Sequence, residues 1–445
     1  MKKLLIIPIL AFSLLSCDSH FSEPTNVRDL NYTFSNGSAV MAWLADSYNY
    51  MPNSFCCTLT ATVDYAANDW KWSNAYIMMS DEADLNTTRD CYKSFRMNLG
   101  DWNASEGGFG EKWVPLYQQI RHLHVFLDNV KVVPGQKEID SQDKVDALRV
   151  EARFLIAYFH TLLFEQFGPI PIIRKAVDVN TPTEELKVER NSVDEVVEWL
   201  DTELLSIANA LPKTITNDFY GAKPTQAAAL AIRARLLLYA ASPLFNSPDN
   251  YANLREFYTL SNRDGKRLFP QNYDETKWKR AADAAKLLIE TQTQHELVGA
   301  TAEGVPNTFA EAYKYYRSVF TEPMNKEVLF ARSLMVWTNW TDFDEYLQTA
   351  CPKQYGAGGM QGITQKLIDA FYLDDGTAAE EGNPRYDETG FTTGRDQITL
   401  NKLIAKDDYK IDEVYNMYQN REARFYASVF FNGRKWESEN AKLNG

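Results

Sequence analysis

The stretch that decides the fold is residues 151–173, which read EARFLIAYFHTLLFEQFGPIPII. Its apolar residues recur at helical spacing and form a stripe so broad that it needs packing partners on both sides. Gly168 suits the left-handed position that follows a helix, and Pro169 cannot continue one. Pro169 and Pro171 then favour an extended exit. The stretch therefore predicts a long, buried helix with an abrupt carboxyl end.

Further stretches carry the same periodicity, and a mainly α fold follows from them. They are residues 38–50, 113–133, 192–211, 225–241 and 276–292. Ser192 and Glu195 have the spacing of a capping box. The 113–133 helix should pair antiparallel with the central one. Helix pairs with small residues at their contacts are what stacked tetratricopeptide-like repeats require, although a plain helical bundle also fits.

The pattern changes near residue 295 and becomes irregular. Residues 326–333 and 422–431 predict short strands, and residues 364–373 predict a helix. The predicted fold class is therefore mainly α. A tetratricopeptide-like helix-pair scaffold occupies about 38–295, and an irregular, loop-rich, ligand-facing half with a few short strands occupies about 296–445.

The amino terminus predicts export and lipidation. Residues 1–16 have two lysines followed by about a dozen apolar residues, which is typical of a signal peptide and too short to span a membrane. The sequence LLSC at 14–17 matches a bacterial lipoprotein box and implies acylation of Cys17, with an ordinary signal peptide as the alternative. Several acyl chains give lasting anchorage. We expect residues 17–36 to be a lipidated tether and the domain to occupy 37–445.

Charge and cysteine usage exclude several classes of protein. The net charge of -14 argues against a nucleic-acid partner, which requires a basic surface. Apart from Cys17 there are four scattered cysteines without a CxxC pair, so buried thiols are favoured over a metal site. A disulfide from Cys91 to Cys56 or Cys57 remains open, and Cys351 has no assigned partner. We expect no cofactor.

Metal and catalytic chemistry also lack a basis in the sequence. His122 and His124 are two residues apart, so on a helix they point in different directions and cannot share a metal ion. The sequence has no G-x-S-x-G, HExxH or P-loop motif. A glycoside hydrolase needs two positioned carboxylates, and no pair stands out among 60 acidic residues. We expect a protein that is not an enzyme.

Two irregular stretches supply the residue types that bind sugars. A flat aromatic ring covers the apolar face of a pyranose, while carboxylates and arginine forks bind its hydroxyls. The candidate ligand-binding residues are Asp69, Trp70, Trp72, Asp81 and Arg89 in the first stretch, and Trp337, Trp340 and Asp342 in the second. We expect the two stretches to face one another. Core packing is the alternative for each tryptophan taken singly.

Five phrases resemble the SusD/RagB-like nutrient-uptake lipoproteins of Bacteroidota in their order and spacing. They are the lipoprotein box at 14–17, the central helix at 151–173, the Ala-rich helix at 225–241, GITQKLIDAFYLDDGT at 362–377 and REARFYASVFFNGRKW at 421–436, with KEVLF at 326–330 as a weaker sixth. The resemblance implies an outer-membrane lipoprotein that faces the cell exterior. It would bind an oligosaccharide or polysaccharide and deliver it to a SusC-like TonB-dependent transporter.

Other interpretations remain open beside this resemblance. The same architecture could bind peptides or glycopeptides, as RagB-like relatives are thought to do. A glycoside hydrolase on a helical scaffold, or a repeat protein that binds only its transporter, would belong to different classes. Family members usually continue beyond the aromatic stretch that ends near residue 436, so we expect either a short member or a chain truncated at its carboxyl end.

Overall fold

The computed structural model describes residues 29–52, 80–85, 98–101, 103, 112–178, 180–215, 223–247, 255–300, 308–322, 325–331, 361–394 and 413–431. Within these ranges the chain is mainly helical with short strands, as predicted. The elements in chain order are α1 Leu30–Ser35, α2 Gly37–Tyr48, β1 Ala83–Leu85, α3 Trp113–Asn129, α4 Gln142–Phe167, α5 Val193–Ala210, α6 Gln226–Ala241, α7 Arg255–Thr259, α8 Thr276–Thr291, α9 Phe309–Thr321, β2 Gln361–Ile363, α10 Gln365–Ala370, β3 Phe391–Thr393, β4 Glu413–Tyr415 and α11 Ala423–Ser428.

The central helix is α4, which is longer than its sequence pattern suggested. It begins at Gln142 rather than near residue 151, because Val145 and Leu148 extend the buried stripe towards the amino end. Its carboxyl end is confirmed at Phe167. Gly168 follows with φ of 69°, a conformation that glycine adopts without steric penalty, and its amide donates to the Phe164 carbonyl at 2.8 Å.

Helices α3, α4, α5, α6 and α8 form a stack in which each helix packs against the next. Trp113 at the start of α3 packs edge-on against Phe167 at the end of α4, and Arg149 near the start of α4 donates to the Val130 carbonyl after α3. These contacts confirm the predicted antiparallel pair. Helix α5 packs on α4, α6 on α5 and α8 on α6, which gives the tetratricopeptide-like scaffold expected from the sequence.

The helix starts follow local chemistry that was visible in the sequence. The Ser192 side chain accepts from the Glu195 amide, and the Glu195 carboxylate accepts from the Ser192 amide at 2.8 Å. This is the predicted capping box. Thr225 caps α6 in the same way, by accepting from the Ala228 amide. Helix α8 begins at Thr276, as predicted.

The carboxyl-terminal end of the predicted tether is helical, which corrects its predicted extent. Residues 17–36 were expected to form a flexible leash, but α1 forms within this range and Phe34 is buried against Trp43 and Phe126. The polar residues Asp29 and Asn36 are helix caps rather than linker residues. Their carboxylate and amide oxygens accept from the amides at the starts of α1 and α2.

A second, smaller core lies in the carboxyl-terminal part of the chain. Two strands predicted for this part are not observed in the residues that the structure describes. Within residues 422–431 the chain forms helix α11 at Ala423–Ser428, because the buried Phe425, Tyr426 and Val429 follow helical rather than alternating spacing. Residues 326–331, the described part of the predicted 326–333 strand, contain no strand. The Asn325 side chain accepts from the Glu327 amide at 3.0 Å and turns the chain there.

Candidate ligand-binding site

A short antiparallel ladder joins the first of the two stretches that carry the predicted ligand residues to a segment that follows the second. Strand β1 lies in the first stretch and pairs with β2, which follows the second; Ala83 lies opposite Ile363 and Asp84 opposite Gly362. The Thr364 amide extends the ladder by donating to the Glu82 carbonyl at 3.0 Å. Segments some 280 residues apart in sequence therefore meet side by side.

Asp81 is the one predicted ligand residue that the structure describes, and it lies at the end of this ladder. Lys366, in the first turn of α10, donates to its Oδ2 atom, and both side chains are largely exposed. Hydrogen bonding to Lys366 lowers the pKa of the Asp81 carboxyl, so the group is ionised. Exposed ion pairs add little stability, so the role of Lys366 is to orient the carboxylate.

The other predicted residues lie outside the described part of the chain. Trp70 and Trp72 precede β1, while Trp337 and Trp340 precede β2, and nothing in the structure places their side chains. The same holds for Asp69, Arg89 and Asp342, and for Cys17. That the two stretches face one another therefore stays a prediction. Among the described residues, the contact nearest to both stretches is the β1–β2 ladder.

A cavity of about 740 Å3 opens among α5, α6 and α8, and its charged residues are occupied by one another. Asp201 accepts from Arg233 Nε at 2.5 Å and from Arg280 Nε at 3.1 Å. Arg280 also pairs with Glu198 at 2.8 Å. Because these carboxylates and guanidinium groups satisfy each other, the network holds three helices together rather than offering charge to a ligand.

Sequence reasoning missed the role of Arg421, whose side chain is fully buried in the smaller core. Its guanidinium donates to the carbonyls of Ile368, Phe371 and Met417, and its carbon lies 4.9 Å from the Phe425 ring centre. Burial lowers the pKa of this guanidinium. One signal was present in the sequence: an arginine followed by an aromatic run at 421–426.

The described histidines do not form a metal site. His122 stacks on Trp43 and its Nε2 atom lies 3.0 Å from the Trp43 carbonyl, whereas His124 Nε2 lies 3.0 Å from the Ile173 carbonyl. The two rings therefore point to different partners, as their spacing predicted. Among the residues that the structure describes, no group of three or more His, Cys, Asp or Glu side chains could hold a metal ion.

Nor does any helix within the described ranges have the length and apolar character needed to cross a membrane.

Comparison with known proteins identifies the class of protein. Residues 38–238 match the family model SusD-like_3, whose description is "Starch-binding associating with outer membrane", and residues 326–444 match SusD_RagB, the SusD family. The two matches together cover well over half of the chain. The chain belongs to the SusD/RagB-like family. None of the curated proteins matches the sequence.

Solved structures share the fold at low identity. BT4246 is 21% identical with a TM-score of 0.66, and the alignment covers 91% of this chain and 66% of that protein. The SusD-like protein BF3747 of Bacteroides fragilis is 18% identical with a TM-score of 0.56, covering 89% and 60%. The SusD-like carbohydrate binding protein BF0978 of Bacteroides fragilis is 19% identical with a TM-score of 0.54, covering 83% and 62%. This chain thus spans about two thirds or less of their lengths.

Proposed function

We propose that this protein is a glycan-binding lipoprotein of the outer membrane that captures oligosaccharides outside the cell. It delivers them to a SusC-like TonB-dependent transporter. Acylated Cys17 anchors it, and the ligand rests between the stretch that holds Trp70 and Trp72 and the stretch that holds Trp337 and Trp340. Family membership supports the binding of glycans and the outer-membrane location in general terms.

The observation that carries the proposed site is the β1–β2 ladder. Strand β1 lies between Trp72 and Arg89, so its pairing with β2 holds the first aromatic stretch against the chain that leaves the second. Asp81 brings an oriented, exposed carboxylate to the same edge. Aromatic rings and a carboxylate are the groups that recognise a pyranose, and the proposed site brings them together at this edge.

Affinity electrophoresis of the chain from residue 18 onwards tests this function. The gels contain amylopectin, xylan, mannan, β-glucan, pectin or mucin, and a peptide mixture is tested by calorimetry. We expect retention by one glycan class without release of reducing sugar. Trp70→Ala and Trp337→Ala should each weaken binding about tenfold, which corresponds to about 1.4 kcal/mol. Trp278→Ala, which removes a tryptophan that is 41% exposed on α8, should change nothing.

Different results would replace the proposal with a specific alternative. Released sugar would identify a glycoside hydrolase. Binding of peptides and of no glycan would identify a peptide-binding lipoprotein of the RagB kind. Retention that neither Trp70→Ala nor Trp337→Ala reduces would move the site away from the two stretches.

A further inference from the structure

The small sheet formed by β3 and β4 has two chemically different faces. Phe391 lies opposite Tyr415 and Thr393 opposite Glu413, and these four side chains share one face because side chains alternate along a strand. The other face carries Val414, which is buried in the smaller core. That inner face is fully engaged, since the Thr392 hydroxyl donates to Asn416 at 2.7 Å and accepts from Gln419 at 2.8 Å.

The outer face is exposed and its polar groups are unengaged. The Phe391 side chain is 59% exposed. Within the described part of the chain, the Glu413 carboxylate has no ion pair, and neither it nor the Thr393 hydroxyl has a hydrogen-bond partner. The Phe391 ring, the Glu413 carboxylate and the Thr393 hydroxyl therefore face solvent together, beside the partly buried Tyr415 ring.

The rings of Phe391 and Tyr415 contact each other, and Tyr415 packs on aromatic residues of the smaller core. The centres of Phe391 and Tyr415 are 5.0 Å apart at an angle of 58°, and Tyr415 contacts Tyr418 at 5.9 Å. Tyr418 in turn stacks on Phe431 at 4.7 Å inside the smaller core. A ligand that rested on Phe391 would meet rings whose positions the core already fixes, so little ordering would be needed on binding.

From this arrangement we propose that the outer face of β3 and β4 is a second carbohydrate-contact surface, separate from the tryptophan-bearing stretches. One pyranose ring packs on Phe391 and Tyr415, and its hydroxyls bind Glu413 and Thr393. Residues two apart on a strand are separated by roughly 6.6 Å and opposite residues by about 5 Å, so ring and carboxylate lie within the span of one sugar unit. This inference rests on the proposed function.

The size of the surface favours a sugar over a protein partner. A stable protein interface buries about 800 Å2 per partner and involves roughly 20 to 30 residues on each side. The outer face has four residues on two strands of three residues each. Strands of this length also offer few backbone groups to an added peptide strand. An unpaired carboxylate beside aromatic rings is suited to a neutral ligand rich in hydroxyl donors.

Two variants and a matched control test the surface on the full chain from residue 18 onwards. The probe is whichever polysaccharide retains the unmodified protein in affinity gels. We expect Phe391→Ala to weaken retention about tenfold and Glu413→Gln to weaken it about threefold. Phe257→Ala removes a phenylalanine that is 43% exposed on α7 of the scaffold and should have no effect. All three changes are at exposed sites, so an unchanged thermal midpoint verifies folding.

The outcomes separate this inference from the proposed function. If Trp70→Ala weakens retention while Phe391→Ala and Glu413→Gln do not, the second surface is wrong and the proposed function stands. If no polysaccharide retains the unmodified protein, both fall. If Phe391→Ala instead alters the sedimentation of the protein without altering retention, the face is a contact between copies of the chain, which also overturns the inference.

Discussion

The helical scaffold and the smaller core beneath β3 and β4 are built from different side chains. In the scaffold, aliphatic residues and alanines interdigitate between neighbouring helices, and α4 contributes a nearly continuous buried surface. In the smaller core, aromatic rings surround a buried arginine. The scaffold is therefore held together by apolar helix faces, each formed by residues that lie close together in sequence. The smaller core depends on Arg421, which joins Ile368 and Phe371 to residues some 50 positions away.

This difference bears on the proposed function because the second contact surface proposed above lies in the second region. The outer face of β3 and β4 rests on the smaller core, and Lys366, which orients Asp81, lies on α10 beside the buried Ile368. In this proposal the smaller core positions the groups that would meet a ligand. The following predictions separate the two regions by their stability.

The largest effect is expected in the scaffold. Phe159→Ala removes a fully buried ring from the middle of α4 and leaves a cavity, which should lower the free energy of unfolding by about 3–5 kcal/mol. Urea denaturation followed by circular dichroism measures this change. Leu238→Ala on α6 is the control, because that side chain is 55% exposed and its loss should cost less than about 0.5 kcal/mol. Equal effects would contradict the assigned packing.

In the smaller core the decisive residue is Arg421. Arg421→Met keeps much of the side-chain volume but leaves the carbonyls of Ile368 and Phe371 without their donor, at a cost of about 3 kcal/mol. Hydrogen exchange should accelerate in residues 364–431 and stay unchanged in α4. Arg424→Met is the control, since Arg424 is exposed and, among the described residues, pairs with Glu422. Uniform acceleration across both regions would mean that they unfold as one unit.

The charge network among α5, α6 and α8 should matter less. Asp201→Asn weakens the bonds to Arg233 and Arg280 and leaves two half-buried guanidinium groups poorly paired, which should lower the free energy of unfolding by about 2 kcal/mol. Asp283→Asn breaks an exposed pair with Lys279 and should cost below about 0.5 kcal/mol. Thermal midpoints of the two variants compare them directly, and a reversed ranking would refute the structural role of the network.

The smallest expected effect is a decrease in the free energy of unfolding at acidic pH, caused by His160. Burial lowers the pKa of His160 from 6.5 to about 4, and its Nε2 atom accepts from the Ile173 amide, so the folded protein holds the neutral ring. As the pH falls below 6.5 the unfolded chain takes up the proton first, so stability decreases until about pH 4. At pH 5.5 the loss is about 1.4 kcal/mol.

Urea midpoints between pH 7 and pH 5.5 measure this dependence. His160→Gln should flatten the slope relative to the unmodified protein, whatever its absolute stability. Burial also lowers the pKa of His124, so the stability of the His160→Gln variant should keep a smaller dependence on pH. Parallel pH profiles for the two proteins would contradict the neutral, buried state of His160.

The sequence predicts the scaffold well because its signals are local. The stripe of α4, the stop at Gly168 and the capping box at Ser192 each lie within a few residues of the structure that they specify. Helix α11 was predicted as a strand because a short aromatic run fits both periodicities, and only its packing against Ile368 and Met417 selects the helix.

The candidate sites are harder to predict because they depend on distant pairings. Nothing in residues 83–85 or 361–363 reveals that they form a ladder, and nothing around Phe391 reveals that Tyr415 lies opposite. Residue type identified Asp81 as a candidate, while the outer face of β3 and β4 escaped notice because its residues are far apart in sequence. Pairing of this kind follows from the whole fold rather than from local pattern.

The most direct test of the central claim is a double-mutant cycle between Trp70 and Trp337. Calorimetry would measure binding of an oligosaccharide, cut from the polysaccharide that retains the protein, to the unmodified chain, each single alanine variant and the double variant. If the two stretches form one site, the losses should be non-additive by at least about 0.5 kcal/mol. Losses that add to within about 0.3 kcal/mol would show that the two tryptophans do not share a ligand, and would contradict the proposed site.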